Sequence, residues 1–175
     1  KKLPISTLLY ALGKTREDIL DTFYTYDNYT YDPSNKSWST IFNPEKYKRP
    51  VKLLFDLIDK KNNKKLLKKG EKLNFVLAEK LKSKDLKEVV VSTDELIGKY
   101  TRGDIKDKSG ETILRSGFNI TKETLDKILL SEVYKLNLAN VDSILRGPYI
   151  FETTKQDKNN NKKEALFDIY KVLRP

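Results

Sequence analysis

The sequence contains neither cysteine nor histidine among its 175 residues. Without them the chain has no thiol nucleophile, no disulfide, no Cys or His zinc ligand and no imidazole general base. No apolar run approaches the roughly 18 residues that a membrane-spanning helix requires. The chain also does not open with the pattern of a signal peptide. We therefore expect a soluble, cytosolic protein of one domain or two small ones.

The charge is strongly unbalanced. Lys and Arg number 35 against 25 Asp and Glu, a formal net charge of +10. This balance favours partners that carry negative charge, nucleic acid first. A high lysine content can equally reflect coding bias in an AT-rich genome, since net charge informs non-specific binding rather than fold. Charge alone therefore leaves the function open.

The first 24 residues carry the pattern of two short helices. The first helix is expected to be capped by Ser6 or Thr7 and to stop at Gly13. Its apolar face is expected to consist of three leucines: Leu8, Leu9 and Leu12. Thr15 and Asp18 have nearly the spacing of a capping box for the second helix.

Residues 24–50 are rich in aromatic side chains set among Asp, Asn, Ser and Thr. The alternation in "YTYDNYTY" (residues 24–31) is typical of a strand with aromatic side chains on one face. Such aromatics could stack single-stranded bases, but Asp27 and Asp32 would repel phosphate. We therefore expect a half-buried strand here.

The middle of the chain contains two copies of one plan, at about residues 53–96 and 102–144. Each copy begins with a hairpin, continues with a helix that starts near Asn74 or Thr121, and ends in a short strand, "VVV" or "LNL". Apolar residues correspond at one constant spacing: Leu73 with Ile120, Leu81 with Ile128, Leu86 with Val133, Val89 with Leu136, and Val91 with Leu138. Two such units can complete a core that neither could bury alone.

The hairpin of the first copy is the most basic part of the chain. Its candidates for non-specific contacts with a polyanion are Lys64, Lys65, Lys68 and Lys69, since neutralised phosphates release counterions. The hairpin contains no Arg, the residue best suited to bidentate phosphate contacts, and the second copy's hairpin is nearly balanced in charge. We favour the interpretation of a solvated edge that keeps the protein soluble.

The last stretch, residues 147–175, is expected to form a strand and then a helix. "GPYIFETTKQD" predicts the strand, after a Gly-Pro turn. "KEALFDIYKVLRP" predicts the helix, with Leu166, Ile169, Tyr170 and Leu173 on one face.

Both ends resemble the β subunit of bacterial RNA polymerase. "KKLPISTLLYALGKTREDILDTFY" is similar to the family's pattern of two basic residues, Leu-Pro and a Leu-rich helix ending Ala-Leu-Gly. "GPYIFETTKQDKNNNKKEALFDIYKVLRP" is similar to its Pro-Tyr-Ile, Asp-Lys-Asn turn and Ala-Leu-x-x-Ile-Tyr before Arg-Pro. In the family that Arg-Pro continues into Gly-Glu-Pro-Pro, so we expect the polypeptide to continue beyond Pro175. The duplicated middle resembles, more loosely, an insertion that many β subunits carry. One departure is Lys155, where the family commonly has Arg.

The resemblance implies an α+β fold in two parts. Residues 1–24 and 147–175 would form the lobe part of the subunit, and residues 25–146 a mostly antiparallel, β-rich inserted module built from the two hairpin–helix–strand repeats. The two ends would then share one core, formed by Leu9, Leu12, Ile19 and Phe23 with Leu166, Ile169 and Leu173. On this view Leu166→Ala would cost about 2–5 kcal/mol.

The resemblance also implies a role. The lobe lines the downstream DNA cleft of the enzyme that makes RNA from ribonucleoside triphosphates on a DNA template, and this segment would be non-catalytic. It would hold no cofactor or metal, since the Mg²⁺ of the reaction is bound by another subunit. Its partners would be downstream DNA and the non-template strand, other polymerase subunits and the σ factor, in the bacterial cytoplasm at the nucleoid and away from membranes. Basic residues that map near DNA in the family are Lys1, Lys2 and Arg174.

Two other functions remain open at this point. An independent nucleic-acid-binding module would use the lysine hairpin and the tyrosine-rich strand, but would need arginines and aromatics converging on one face. An interaction module would dock a regulator on an exposed sheet edge of the repeats.

Overall fold

The structure is a computed structural model that describes residues 2–141 and 147–174. Within these ranges the helices are α1 (Ile5–Ala11), α2 (Arg16–Phe23), α3 (Phe75–Ser83), α4 (Thr93–Leu96), α5 (Lys122–Leu130), α6 (Tyr149–Gln156) and α7 (Lys162–Leu173). The strands are β1 (Tyr26–Asp32), β2 (Ser37–Ile41), β3 (Val51–Lys52), β4 (Leu57–Asp59), β5 (Lys65–Leu67), β6 (Lys72–Leu73), β7 (Glu88–Val91), β8 (Ile105–Lys106), β9 (Thr112–Leu114) and β10 (Lys135–Ala139). None of these helices is long and apolar enough to cross a membrane. The fold is α+β, as predicted.

The main sheet has six strands in the order β10-β1-β2-β7-β4-β5, and every pair in it is antiparallel. The tyrosine-rich stretch forms its central hairpin, β1–β2. Within β1, Tyr29 is buried while Asn28 and Thr30 are exposed, the alternation of a half-buried strand. This confirms the predicted strand.

The two copies have matching elements. Helices α3 and α5 begin and end at corresponding positions, and β7 corresponds to β10. The Asn74 side chain accepts a hydrogen bond from the Leu77 amide, and the Thr121 hydroxyl accepts one from the Thr124 amide, so both predicted helix starts are confirmed. The copies differ in their hairpins, since β4–β5 joins the main sheet and β8–β9 forms a separate two-stranded sheet.

Each copy has a core of its own, and each core is completed by the central hairpin. Trp38 is buried in the core around α5, and Phe42, just after β2, is buried in the core around α3. Val91 and Leu96 of the first copy also reach the core of the second. The core around α5 is therefore completed both by the first copy, as expected, and by the hairpin residues Tyr29 and Trp38.

A third core crosses the predicted boundary at residue 24. Phe151 of α6 is fully buried and stacks on two rings, with centroids 4.3 Å from Tyr24 and 4.4 Å from Tyr100. The Tyr24 hydroxyl donates a hydrogen bond to the Gly147 carbonyl (2.8 Å) and accepts one from the Ile150 amide (3.2 Å). The contacts of Tyr24 lie within the predicted lobe part. Tyr100, which stacks on Phe151 and donates a hydrogen bond to Glu152 (2.9 Å), joins that part to the predicted inserted module.

The predicted strand in "GPYIFETTKQD" is wrong, because Tyr149–Gln156 is helix α6. Tyr, Ile, Phe and Thr favour strands by propensity. The buried side chains, however, are Phe151 and Thr154, which lie three residues apart and so share one face of a helix. Packing on Tyr24 and Tyr100 overrides the local preference.

The two ends do pack together through α1 and α7, and Ile19 and Leu9 lie in the shared core as predicted, but most of the other predicted core residues do not. The buried residues at this contact are Tyr10, Ile19 and Ala165. Four of the residues assigned to the shared core are exposed: Leu12, Phe23, Leu166 and Leu173. Ala165 is fully buried in the cluster with Tyr10 and Ile19, while Leu166 and Leu173 lie on the exposed side of α7.

Phe151→Ala in the isolated chain is expected to lower the free energy of unfolding by about 3–5 kcal/mol, because it removes a fully buried ring shared by two aromatic neighbours. Leu166→Ala is expected to cost less than about 1 kcal/mol, because Leu166 is 48% exposed. Urea denaturation of both variants measures the difference. Equal losses would contradict the packing described here.

Candidate nucleic-acid interface

A buried carboxylate fixes the start of α1. The Asp157 Oδ2 accepts hydrogen bonds from the Ser6 hydroxyl (2.5 Å) and the Thr7 hydroxyl (3.0 Å), and all three residues are buried. Ser6 and Thr7 were predicted to cap α1, but Pro4 occupies the N-cap position and makes no side-chain cap. The two hydroxyls instead tie α1 to the loop between α6 and α7.

Asn159 extends this cluster to α7. Its Nδ2 donates to the Asp157 Oδ1 (3.2 Å), to the Asp168 Oδ2 (3.2 Å) and to the Thr7 Oγ1 (3.4 Å). Thr7 therefore lies near Asp168, while Tyr10, further along α1, shares a core with Ala165, further back along α7. This order indicates an antiparallel helix pair, with the start of α1 and the end of α7 at the same end.

Two predicted DNA-binding residues flank that end of the helix pair. Lys2 precedes α1 and Arg174 follows α7, and both are exposed. The Arg174 guanidinium lies over the Tyr170 ring, 5.9 Å from its centroid. Neither cation forms an ion pair with a residue that the structure describes. Lys1, the third predicted residue, lies outside the described residues.

Only some lysines of the lysine hairpin are available to bind a polyanion. The Lys65 ammonium pairs with Asp56 at 2.5 Å, and this hydrogen bond lowers the pKa of the Asp56 carboxyl. Lys64, Lys68 and Lys69 are exposed, and their ammonium groups form no ion pair with a carboxylate in the described ranges. The Lys68 and Lys69 backbone amides donate hydrogen bonds to Glu71 and Asp56. Strand β5 is an edge strand of the main sheet, where lysines discourage pairing with another chain.

The cavity beside this hairpin does not have the charge of an anion site. Its volume is about 400 Å³, and three lysines and three carboxylates line it: Asp59, Lys60, Lys61, Asp85, Lys87 and Glu88. Lys60 pairs with Glu88 (2.5 Å) and Lys61 with Asp85 (2.9 Å), and the Lys61 ammonium lowers the pKa of the Asp85 carboxyl. Two lysines of the basic hairpin are thus neutralised by residues that follow it in the chain.

A half-buried charge cluster lies between β1 and the region of α4, and sequence reasoning missed it. Lys46 pairs with Asp27, and the Lys99 ammonium lies over the Tyr29 ring, 5.9 Å from its centroid. Burial raises the pKa of the Glu95 carboxyl and lowers that of the Lys99 ammonium. The residues of this charge cluster come from separate elements, so no local sequence motif could have predicted it.

Within residues 2–141 and 147–174, no group of acidic side chains is arranged to hold a metal ion.

Comparison with known proteins identifies the family. No family model matches the chain. The DNA-directed RNA polymerase subunit β of Rhizobium leguminosarum bv. trifolii is 39% identical over 176 residues, which cover 100% of this chain and 12% of the relative. The subunit β of Agrobacterium fabrum is 40% identical, and the match covers 100% of this chain and 13% of the relative. The subunit β of Ehrlichia canis is 39% identical, and the match covers 99% of this chain and 12% of the relative. The chain belongs to the bacterial RNA polymerase β subunit family.

The similarity to β subunits extends beyond the two ends that first suggested it. Because the matches cover 99% or 100% of this chain, the duplicated middle is also part of what the relatives share. The chain spans about an eighth of the length of these β subunits.

In this β-subunit segment, Asp157→Ala is expected to lower the free energy of unfolding by about 1–3 kcal/mol, because the buried Ser6 and Thr7 hydroxyls lose their acceptor. Asp126→Ala is the matched control, since Asp126 is exposed on α5, and its effect should stay within about 0.5 kcal/mol. Urea denaturation tests both. An equal response would mean that Asp157 does not hold the ends together.

Proposed function

We propose that this chain is the non-catalytic lobe segment of a β subunit and that it lines the downstream DNA cleft of the polymerase. The single observation that carries the proposal is the similarity to β subunits over the whole chain. The assembled enzyme would join ribonucleotides on a DNA template, with Mg²⁺ held by another subunit. The other subunits and the σ factor would be its protein partners at the bacterial nucleoid.

The contact with DNA would be electrostatic. The exposed cations Lys2 and Arg174, at the end of the α1–α7 pair, suit contact with phosphate, because neither forms an ion pair with a residue that the structure describes. Each neutralised phosphate contributes about 0.9 to the slope of log affinity against log salt. The chain's net charge of +10 acts in the same direction by raising the local concentration of DNA.

The double variant Lys2→Ala, Arg174→Ala tests this role in polymerase assembled with the full-length subunit. We expect weaker binding of downstream duplex DNA, equally for all sequences, and a salt slope lowered by about 2. The matched control is Lys162→Ala, Lys163→Ala, since these exposed lysines begin α7 at its opposite end. A slope unchanged in the first variant, or reduced equally in the control, would reject the contact.

The lysine hairpin supports a second candidate function, an independent nucleic-acid-binding module. Lys64, Lys68 and Lys69 are exposed, and their ammonium groups form no ion pair with described residues. For the isolated chain we expect DNA binding weaker than about 10⁻⁵ M at physiological salt, as for ordinary non-specific attraction. Fluorescence anisotropy with duplex and single-stranded DNA across a salt series measures this. Tight binding, with a slope that flattens when Lys64, Lys65, Lys68 and Lys69 are changed to Gln, would favour an independent nucleic-acid-binding module.

A further inference from the structure

Three cations from separate parts of the chain lie around the Phe118 ring. The Arg16 guanidinium, on the first residue of α2, lies 5.7 Å from the ring centroid, and the Lys155 ammonium, on α6, lies 5.1 Å from it. Arg115 comes three residues before Phe118 and lines the same cavity. Arg16, Arg115 and Lys155 are called the cation cluster below.

A tight turn in the second copy brings the cluster together. The Phe118 amide donates a hydrogen bond to the Arg115 carbonyl (3.2 Å), and Gly117 between them has a φ of +77°, which favours glycine. A Cβ atom on Gly117 would lie 3.3 Å from the Leu20 side chain and 3.4 Å from the Arg16 Nε and Nη2 atoms. The missing side chain therefore allows this turn to pack closely against α2.

The Arg16 guanidinium lacks acceptors for two of its nitrogens. The Nε and Nη2 atoms are buried, and neither has a hydrogen-bond partner in the described part of the chain. Nor does any member of the cation cluster form an ion pair with a described residue. Buried donors without acceptors cost free energy and call for an explanation. An anion that draws the guanidinium away from Gly117 would supply the missing acceptors.

The cavity beside the cluster can hold the body of a ligand. Its volume is about 350 Å³, within the range of small-molecule sites. Five residues line it: Thr112, Ile113, Leu114, Arg115 and Phe118. No carboxylate is among them, in contrast to the cavity beside the lysine hairpin. An apolar wall next to unpaired cations suits a ligand that joins an anionic group to a flat, weakly polar body.

We propose that the cation cluster binds the phosphate groups of a nucleotide, with the base and sugar in the adjacent cavity. Three positive charges match a ligand that carries several negative charges, and the planar forks of Arg16 and Arg115 match phosphate oxygens. A single carboxylate would leave most of this positive charge uncompensated. A free nucleotide and a nucleic-acid strand share this phosphate chemistry. The proposal rests neither on a place in the DNA cleft nor on the contact at Lys2 and Arg174.

Hydrogen exchange with peptide mass spectrometry tests the proposal in polymerase assembled with the full-length subunit. The probes are inorganic tripolyphosphate, ATP and a short single-stranded DNA, each titrated at fixed ionic strength without divalent metal. The readout is exchange in peptides that cover residues 112–118 and the start of α2. Because this readout is local, it separates the cation cluster from every other nucleotide site of the enzyme.

We expect tripolyphosphate and ATP to slow exchange in residues 112–118. The double variant Arg115→Gln, Lys155→Gln should raise the apparent Kd at least about tenfold, because charge-assisted hydrogen bonds to phosphate are lost. The matched control is Arg49→Gln, Lys122→Gln, which removes the same charge from exposed positions on the repeats. Its Kd should stay within about twofold, since salt screens distant charges.

Arg16→Met separates binding from folding. Met can still pack against Phe118 and has no donors to leave unpaired, so the isolated chain should melt at the same or a higher temperature. The apparent Kd for tripolyphosphate in the assembled enzyme should nevertheless rise at least about tenfold. A lower melting temperature with an unchanged Kd would assign Arg16 to packing and overturn the site.

The three probes distinguish the sources of phosphate. Tighter binding of ATP than of tripolyphosphate would support a free nucleotide, and protection by DNA alone would assign the phosphates to a strand. Equal affinity for ATP and tripolyphosphate would overturn the placement of the base and sugar. Unchanged exchange with all three probes would overturn the site itself, as would equal weakening in the control double variant. The salt slope of the Lys2→Ala, Arg174→Ala variant is independent of all these results.

Discussion

The β1–β2 hairpin is the element on which the two repeats depend. β1 pairs with β10 of the second copy and β2 with β7 of the first, so the copies join one sheet only through the hairpin. Tyr29 and Trp38 contribute to one core, and Phe42, just beyond β2, to the other. The duplicated sequence thus becomes one folded unit because the stretch between α2 and the first copy supplies the strand partners and adds apolar side chains to both cores.

The two ends are joined by a different kind of contact. Phe151 stacks between Tyr24 and Tyr100, and the buried Asp157 carboxylate accepts the hydroxyls of Ser6 and Thr7. The stacking supplies apolar burial, while the hydrogen bonds fix direction, since a buried carboxylate needs its donors in place. Together they set the antiparallel order that brings the start of α1 and the end of α7 to one side.

The α1–α7 pair thereby has three chemically distinct surfaces. Its inner contact uses Ala165 and the polar cluster around Asp157, its outward side carries exposed leucines such as Leu166, and its end carries the exposed cations Lys2 and Arg174. The repeats show a different pattern, because many of their charges are paired locally, as at Lys61 with Asp85 and at Lys108 with Glu132.

The sequence by itself determined the features that depend on neighbouring residues: the helix caps at Thr15, Asn74 and Thr121, the alternating strand β1, the repeat and the resemblance at both ends. Only the tertiary structure decided which apolar helix faces are buried, because the spacing of apolar residues identifies a face but not the element that packs against it. Leu166 and Leu173 fit the apolar pattern of a helix, yet both are exposed. Phe151 lies in a stretch with strand propensity, yet it is buried and belongs to helix α6. The same holds for the candidate interface, since the family resemblance at both ends suggests its cations Lys2 and Arg174, and long-range packing alone brings them to one end of the α1–α7 pair.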